Sequence, residues 1–255
     1  MASGHDHPGS YDARVTPPVT PVSASALVAP LSRWADDEVR ERTRRTRRRL
    51  LLAAAGLFGE AGYHGASLSD ILTAAGLTKG ALYFHFRSKY ALAEALLTEV
   101  ERSWAAVVAE IADRGLDPLW QLLVETDAYV GRWLYDPLVR GVSQALDDPE
   151  LLALRTRWFE PWEAATIAHL TAAAAAGLLA EDVDPRRAAR AIVAAASGNY
   201  ALADSPDDLW ARMSEFWEGL LPIAACPAWR STWDASAWHT RPAPDGDAYR
   251  LAREP

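Results

Sequence analysis

The stretch Leu77-Thr78-Lys79-Gly80-Ala81-Leu82-Tyr83-Phe84-His85-Phe86 decides how the N-terminal part of this chain folds. Thr78 is a residue type that caps helix N-termini, so a short helix is predicted to begin at Lys79. Leu82 and Phe86 are four residues apart, which places both on the buried face of that helix. Tyr83 lies one turn from Lys79 and shares its face.

Two further helices are predicted before this stretch. The first begins between residues 36 and 41 and runs to about Ala61, with an apolar stripe at three- and four-residue spacing and Gly62 as its stop. The second runs from its N-cap Ser67 to Ala75 and ends at Gly76. Three short helices, with a Gly-x-Thr turn between the second and third, are typical of a helix-turn-helix whose third helix reads DNA.

Positive charge is concentrated in the same segment. Between Arg40 and Tyr90 the sequence has ten basic and three acidic residues, a net charge of +7, whereas the whole chain carries −8 and the remainder therefore −15. One basic module in an acidic protein indicates a face that binds a polyanion. A solvated basic helix would explain the arginines alone, but it would not explain the caps and the turn beside them.

The helix-turn-helix interpretation assigns roles to individual side chains. A lysine at the start of a recognition helix reaches guanine O6 and N7, and a glycine next to it lets the backbone approach DNA. Serines and free amides at the start of the second helix suit phosphates, as does a lysine that starts the fourth helix. Core packing would explain the aromatic residues equally well, and for Phe86 we expect it. The candidate DNA-binding residues are Ser67, Ser69, Lys79, Gly80, Tyr83, His85 and Lys89.

The remainder of the chain predicts helices throughout. Asp-Pro or Ser-Pro pairs open successive segments, as expected for an N-cap followed by proline at the first helical position. Pro161 is expected to interrupt one of these helices. No stretch of six or more residues alternates like a strand. The predicted fold class is therefore all-α, with a helix-turn-helix domain at 36–90 and a larger helical ligand-binding and dimerisation domain at 91–226.

Both ends of the chain differ in composition from these domains. Residues 1–35 predict a flexible arm, and residues 227–255 predict a loosely held polar tail. The start lacks the basic and apolar regions of a secretory signal, and no apolar run is long enough to span a membrane. Cys226 is the single cysteine, so no internal disulfide forms. We expect a cytoplasmic protein with no cofactor, no metal site and no membrane partner.

Tryptophans are unusually frequent in the larger domain, and they suggest a cavity. Large flat side chains on several helices line apolar cavities while offering a polar hydrogen, although most of these residues would serve equally in the core or at a dimer interface. Gln144 and Asn199 are polar residues in apolar helices and are candidates for orienting a ligand. With them, the candidate ligand-binding residues on this reasoning are Trp104, Trp133 and Tyr200. The helices at 185–203 and 206–221 are candidates for a homodimer interface. The alanine-rich faces at 172–176 and 188–196 are candidates too, although they could equally be buried within the subunit.

An enzyme is the main rival class. The sequence has no Gly-x-Ser-x-Gly, His-Glu-x-x-His, Gly-x-Gly-x-x-Gly or phosphate-loop motif. Cys226 precedes a proline and is a poor candidate for a nucleophile. A scaffold of helical hairpins would require an internal repeat, and we find none. We therefore expect no catalytic residue and a regulator rather than an enzyme.

Residues 43–97, and 77–86 with Ser88-Lys89 above all, resemble the DNA-binding domain of the TetR family of bacterial repressors. The resemblance implies an all-helical homodimer that binds double-stranded operator DNA and is released by a small molecule. The run Arg157-Trp158-Phe159-Glu160-Pro161-Trp162-Glu163 is similar to the γ-butyrolactone autoregulator receptors of Streptomyces, and this implies that Trp162 lines the ligand pocket. A butyrolactone- or furan-type signal is the expected ligand; an antibiotic or another apolar metabolite is the alternative.

Overall fold

Helices form most of the described chain, residues 38–244, in a computed structural model. The predicted arm at 1–35 and the last eleven positions, 245–255, lie outside the described residues. Within 38–244 no strand is present, and the one extended pairing is an isolated bridge between Leu179 and Ala225. The all-α prediction is therefore confirmed. No helix of the described part is both long and apolar enough to cross a membrane.

The first four helices follow the predicted start and stop signals. Ser67 Oγ accepts a hydrogen bond from the Asp70 amide at 3.1 Å, and Gly76 ends the same helix with a φ of 60°. Helical geometry is broken at Gly62, with a φ of 68°, although the chain resumes a helical course for three residues. These helices are α1 (Glu38–Gly65), α2 (Leu68–Ala75), α3 (Lys79–His85) and α4 (Lys89–Ala112).

Five further helices follow, and four of the five begin at the predicted Asp-Pro or Ser-Pro pairs. The prediction that Pro161 interrupts a helix was wrong, because α7 continues through it. Proline at this position removes one backbone hydrogen bond, to the carbonyl of residue 157, and packing on both sides of it keeps the helix intact. The elements are α5 (Pro118–Tyr135), α6 (Pro137–Ala145), α7 (Leu152–Ala175), α8 (Pro185–Leu202) and α9 (Pro206–Ala224), with a 3₁₀ turn at Pro149–Leu151 before α7.

The helix-turn-helix shares one core with the larger domain. Phe58, Ile71 and Leu82 of the first three helices are buried in the same cluster as Val139 of α6. The closest approach is at Gly141, where a Cβ atom would lie 2.4 Å from the Ala55 carbonyl oxygen of α1. Glycine is therefore needed at this crossing, because any side chain would push α6 away from α1.

A second core joins α5, α7, α8 and α9, and the segment after residue 226 completes it. We expected a loosely held tail here, and for residues 227–244 that prediction was wrong. Two short helices, α10 (Pro227–Arg230) and α11 (Ala235–His239), bury Trp229 and Trp238. The tryptophans were visible in the sequence, but their irregular spacing gives no helical stripe, so the segment looked like a polar tail.

Candidate DNA-binding face and ligand cavity

Three of the candidate DNA-binding residues form one exposed surface on α3. Lys79, Gly80 and Tyr83 are exposed, and the Lys79 ammonium lies 5.9 Å from the centre of the Tyr83 ring. Leu82 and Phe86 point inward, as their spacing predicts. Apolar packing thus holds the inner face of α3 in place, while its polar face remains exposed to solvent. This face is available to a large anionic partner.

His85 and Phe84 differ from their neighbours. His85 is half-buried, and its burial together with the nearby Arg47 guanidinium lowers the pKa of the imidazole. Phe84 is 76 % exposed, with its ring edge-on to His85 at 5.0 Å. Sequence reasoning did not select Phe84, because an aromatic residue beside Leu82 resembles core. Its exposure on α3 adds an apolar group to the face.

The two candidate serines lie at the start of α2. Ser67 and Ser69 are both exposed. Ser67 already caps the helix and donates to the Asp70 carboxylate at 2.6 Å, so an anion here would meet a neighbouring negative charge. Ser69 has an exposed side chain. Phosphate binding by these two residues stays a prediction.

Lys89 ties two helices together. Its ammonium donates to the carbonyl oxygens of Tyr63 at 2.7 Å and Ala66 at 3.2 Å, at the end of α1, and lies 4.2 Å from the Tyr63 ring centre. Lysine is favourable here because the carbonyls at a helix C-terminus carry partial negative charge. Lys89 therefore holds the start of α4 against α1, and its predicted phosphate contact would be additional.

Part of the arginine cluster also stabilises the domain. The Arg49 guanidinium donates to the carbonyl oxygen of Ala75, which closes the end of α2 against α1. Arg47 lies 5.4 Å from the ring centre of Phe86. These two arginines are thus engaged inside the motif, which reduces the number expected to contact DNA.

A cavity of about 510 Å³ lies between α4, α5, α6 and α7. Its middle is aromatic. Tyr129 of α5 stacks against Trp162 at 5.6 Å and lies edge-on to Trp104 at 5.8 Å, while Trp158 closes the wall at 6.0 Å. Burial raises the pKa of Tyr129, which therefore remains a neutral phenol. The volume and the lining suit a drug-sized, largely apolar molecule.

Charged side chains lie at the two ends of this cavity. At the end near the DNA-binding motif, Arg157 pairs with Glu101, and Arg132 pairs with Asp136 at 2.8 Å. At the opposite end, Glu125 faces His169 at 3.1 Å. Sequence reasoning missed these residues. Glu125 gave a usable signal, since it and Asp127 are the two charged residues of the mostly apolar run 119–131 of α5.

A smaller cavity of about 180 Å³ lies behind Trp162, which lines both spaces together with Tyr129 and Trp158. Three further candidates, Trp133, Gln144 and Tyr200, line the smaller cavity. The structure thus brings Trp104 and Trp162 together in the main cavity and separates the other three from Trp104.

The polar groups of two candidate ligand-binding residues, the Tyr200 hydroxyl and the Asn199 amide, differ in their surroundings. The Tyr200 hydroxyl is buried with no hydrogen-bond partner among the described residues. Asn199 lines neither cavity, and its amide lies 3.6 Å from the Met213 sulfur, between α8 and α9. Its predicted role toward a ligand has no support from this placement.

A helix-turn-helix that shares its core with a cavity-bearing helical domain defines a DNA-binding transcriptional regulator. Residues 50–96 match the family model of the bacterial regulatory proteins, tetR family. The TetR regulator TylP from Streptomyces fradiae, a solved structure, is 31% identical with a TM-score of 0.61, and the alignment covers 83% of this chain and 100% of that one. This chain belongs to the TetR family of bacterial transcriptional regulators and is not an enzyme.

Two further relatives are receptors for small signals. The A-factor receptor protein of Streptomyces griseus is 30% identical over 185 residues, which is 71% of this chain and 64% of that receptor, slightly less than two thirds of its length. A crystal structure of a γ-butyrolactone receptor (ArpA-like protein) is 25% identical with a TM-score of 0.64, covering 78% of this chain and 98% of that one. The predicted resemblance to this group of receptors is confirmed.

Proposed function

We propose that this chain binds operator DNA as a homodimer and leaves it when a small, largely apolar signal occupies the main cavity. The observation that carries the proposal is the contact between the two regions. Val139 of α6 lines the cavity and also belongs to the core of the helix-turn-helix, and Gly141 of the same helix lies directly against α1. A ligand that displaces α6 would therefore move the DNA-binding motif.

The DNA side of the proposal uses the exposed face of α3. Lys79 and Gly80 would enter the major groove. Contacts to flanking phosphates would come from Tyr83, His85, Lys89, Ser67 and Ser69. One recognition helix reads too few base pairs for a unique site, so two copies on a two-fold operator are expected. The net effect of binding at such an operator would be repression.

The dimer would form through α8 and α9. The exposed residues of both helices include several small ones, which let helices approach closely. Ala195→Arg on α8 should give a monomer in sedimentation velocity at micromolar concentration, whereas the control Ala153→Arg, at the exposed start of α7, should not. A wild-type chain that sediments as a monomer with and without DNA would exclude the arrangement. The small exposed residues are Ala191, Ala194 and Ala195 of α8 and Ala211 and Gly219 of α9, and Ile223 of α9 is exposed as well.

The ligand side is tested on the DNA upstream of the chain's own gene. A gel shift with and without an organic extract of the host culture should show binding and then release. Trp162→Ala removes an aromatic wall of the cavity and should abolish release while leaving DNA affinity unchanged. The matched control Trp233→Ala, at the α10–α11 turn and outside both cavities, should release normally.

Thermal melting beside the gel shift separates a ligand contact from a structural one. If Trp162 serves the core, its removal costs about 3–5 kcal/mol of stability. A folded Trp162→Ala variant that still releases would remove this residue from the site. The relatives named as A-factor and γ-butyrolactone receptors favour a butyrolactone-type signal. Release by a fractionated antibiotic instead would support the alternative.

A further inference from the structure

The charges around the main cavity are unevenly matched. Arg132 and Arg157, the two arginines of its lining, each have a carboxylate partner, from Asp136 and Glu101. Glu125 is 7 % exposed and has no lysine or arginine partner among the described residues. The Glu125 end of the cavity therefore carries a buried carboxylate that no lysine or arginine of the described residues neutralises, and its neighbour His169 is a cation only when protonated.

The hydrogen-bond donors at the Glu125 end of the cavity already have acceptors within the protein. The carboxylate of Glu125 accepts from the Gln121 amide at 3.1 Å and faces His169 Nε2 at 3.1 Å. The hydroxyls of Thr126 and Thr166, in the same wall, donate to the backbone carbonyls of Leu122 at 2.8 Å and of Trp162 at 2.9 Å. Both hydroxyls are left as acceptors. This end therefore offers acceptors to a ligand and needs a donor from it.

We infer that the Glu125–His169 end of the cavity binds the hydroxyl group of an uncharged ligand and excludes carboxylates. A hydroxyl would donate to the carboxylate of Glu125, which gives a charge-assisted hydrogen bond. A ligand carboxylate would add another negative charge beside the buried Glu125 without a new cation, which is costly in a buried site. The inference rests on the proposal that this cavity is the ligand site.

The length of the cavity sets the size of a suitable probe. From Glu125 to Arg132 the α5 backbone rises about 10 Å, and an extended chain of about eight carbons spans the same distance. Trp104, Tyr129 and Trp162 would cover such a chain between the two polar ends. Octan-1-ol, its methyl ether and octanoate have this length and differ in the group that would meet Glu125.

The experiment titrates each probe into the full-length protein and follows tryptophan fluorescence, with calorimetry as a second readout. Octan-1-ol should bind about tenfold more tightly than 1-methoxyoctane, which lacks the donor, and than octanoate at pH 7.5. Glu125→Gln, which keeps the shape and removes the charge, should reduce the preference for the alcohol and raise octanoate affinity about tenfold. Glu163→Gln, outside the cavity wall on α7, should change neither.

Three results would overturn the inference: equal binding of alcohol and ether, octanoate binding to the wild type at least as tightly as the alcohol, or no binding of any probe. An unchanged octanoate affinity in a folded Glu125→Gln variant would do the same. The proposed function has a separate readout. Release from the operator by culture extract without an alcohol preference rejects this inference alone, whereas an alcohol preference without any release from DNA rejects the proposed function.

Discussion

In the helix-turn-helix, the start of each helix after α1 is capped by a side chain three residues before the amide it binds, as in Ser67–Asp70, Thr78–Ala81 and Ser88–Ala91. In the larger domain, which contains the cavities, the polar contacts that hold the fold together join residues far apart in the sequence. The buried pair Asp127–Arg241 spans 114 residues, and Trp229 donates to Asp117 across 112.

The two regions also use charge in opposite ways. The DNA-binding face leaves Lys79 exposed beside Tyr83, so its positive charge is available to a partner. The larger domain buries Arg241 between the rings of Trp210 and Trp238, at 4.1 and 3.7 Å, where the charge serves the fold. Mutations should therefore affect binding in the first region and stability in the second.

The largest expected effect is at Arg241. Arg241→Ala leaves Asp127, 5 % exposed, buried without its partner, and should lower the free energy of unfolding by about 3–5 kcal/mol. Urea denaturation of the full chain measures this. The control His239→Ala removes a neighbouring exposed contact to Glu218 and should cost about 0–1 kcal/mol. A similar small loss for both variants would contradict the distinction between the regions.

The same contrast explains what could be read from the sequence. Ser67, Gly76 and Thr78 act on amides and carbonyls within a few residues, so residue type and spacing were sufficient to place them. Arg241 and Trp238 act on α5, and nothing in the local sequence points to that partner. The charged ends of the cavity were missed for the same reason, since Glu125 and His169 lie 44 residues apart and meet through packing.

Gly141 connects the two regions and should show an intermediate effect. Gly141→Ala places a Cβ 2.4 Å from the Ala55 carbonyl oxygen, so α6 must shift from α1, at a cost of about 1–3 kcal/mol. Release from the operator by the signal should weaken as well. Gly56→Ala, on α1 with open space around it, should stabilise by up to about 1 kcal/mol through helix propensity. Equal stabilisation by both substitutions would show that the crossing tolerates a side chain.

The Lys79→Ala variant tests whether the exposed charge on α3 serves DNA binding and not the stability of the fold. Lys79→Ala should cost about 1–3 kcal/mol on the specific operator, with a smaller loss on random DNA, because a base contact discriminates between sequences. Its melting temperature should not change. Arg102→Ala, an exposed arginine of α4 distant from this face, serves as the control. Unchanged affinity of Lys79→Ala for both DNAs would place the recognition surface elsewhere.

The smallest effect concerns His85, where burial and the Arg47 guanidinium lower the pKa in the free protein. A phosphate near the imidazole would favour the protonated form, so the pKa rises in the complex and DNA binding takes up a proton. Affinity should therefore increase, by less than about tenfold, as pH falls from about 8 to about 6. Gel shifts at constant ionic strength measure this.

In the free protein, the same fall in pH should decrease the contribution of His85 to folding stability. Because the folded-state pKa of His85 is lowered, its contribution to stability is present above the unfolded pKa and is lost as pH falls through the folded value. His85→Gln should remove the pH dependence of DNA binding, whereas His64→Gln, exposed at the end of α1, should retain it. If His85→Gln binds DNA with the wild-type pH profile, His85 lies away from the phosphates, and the proton is taken up at another group.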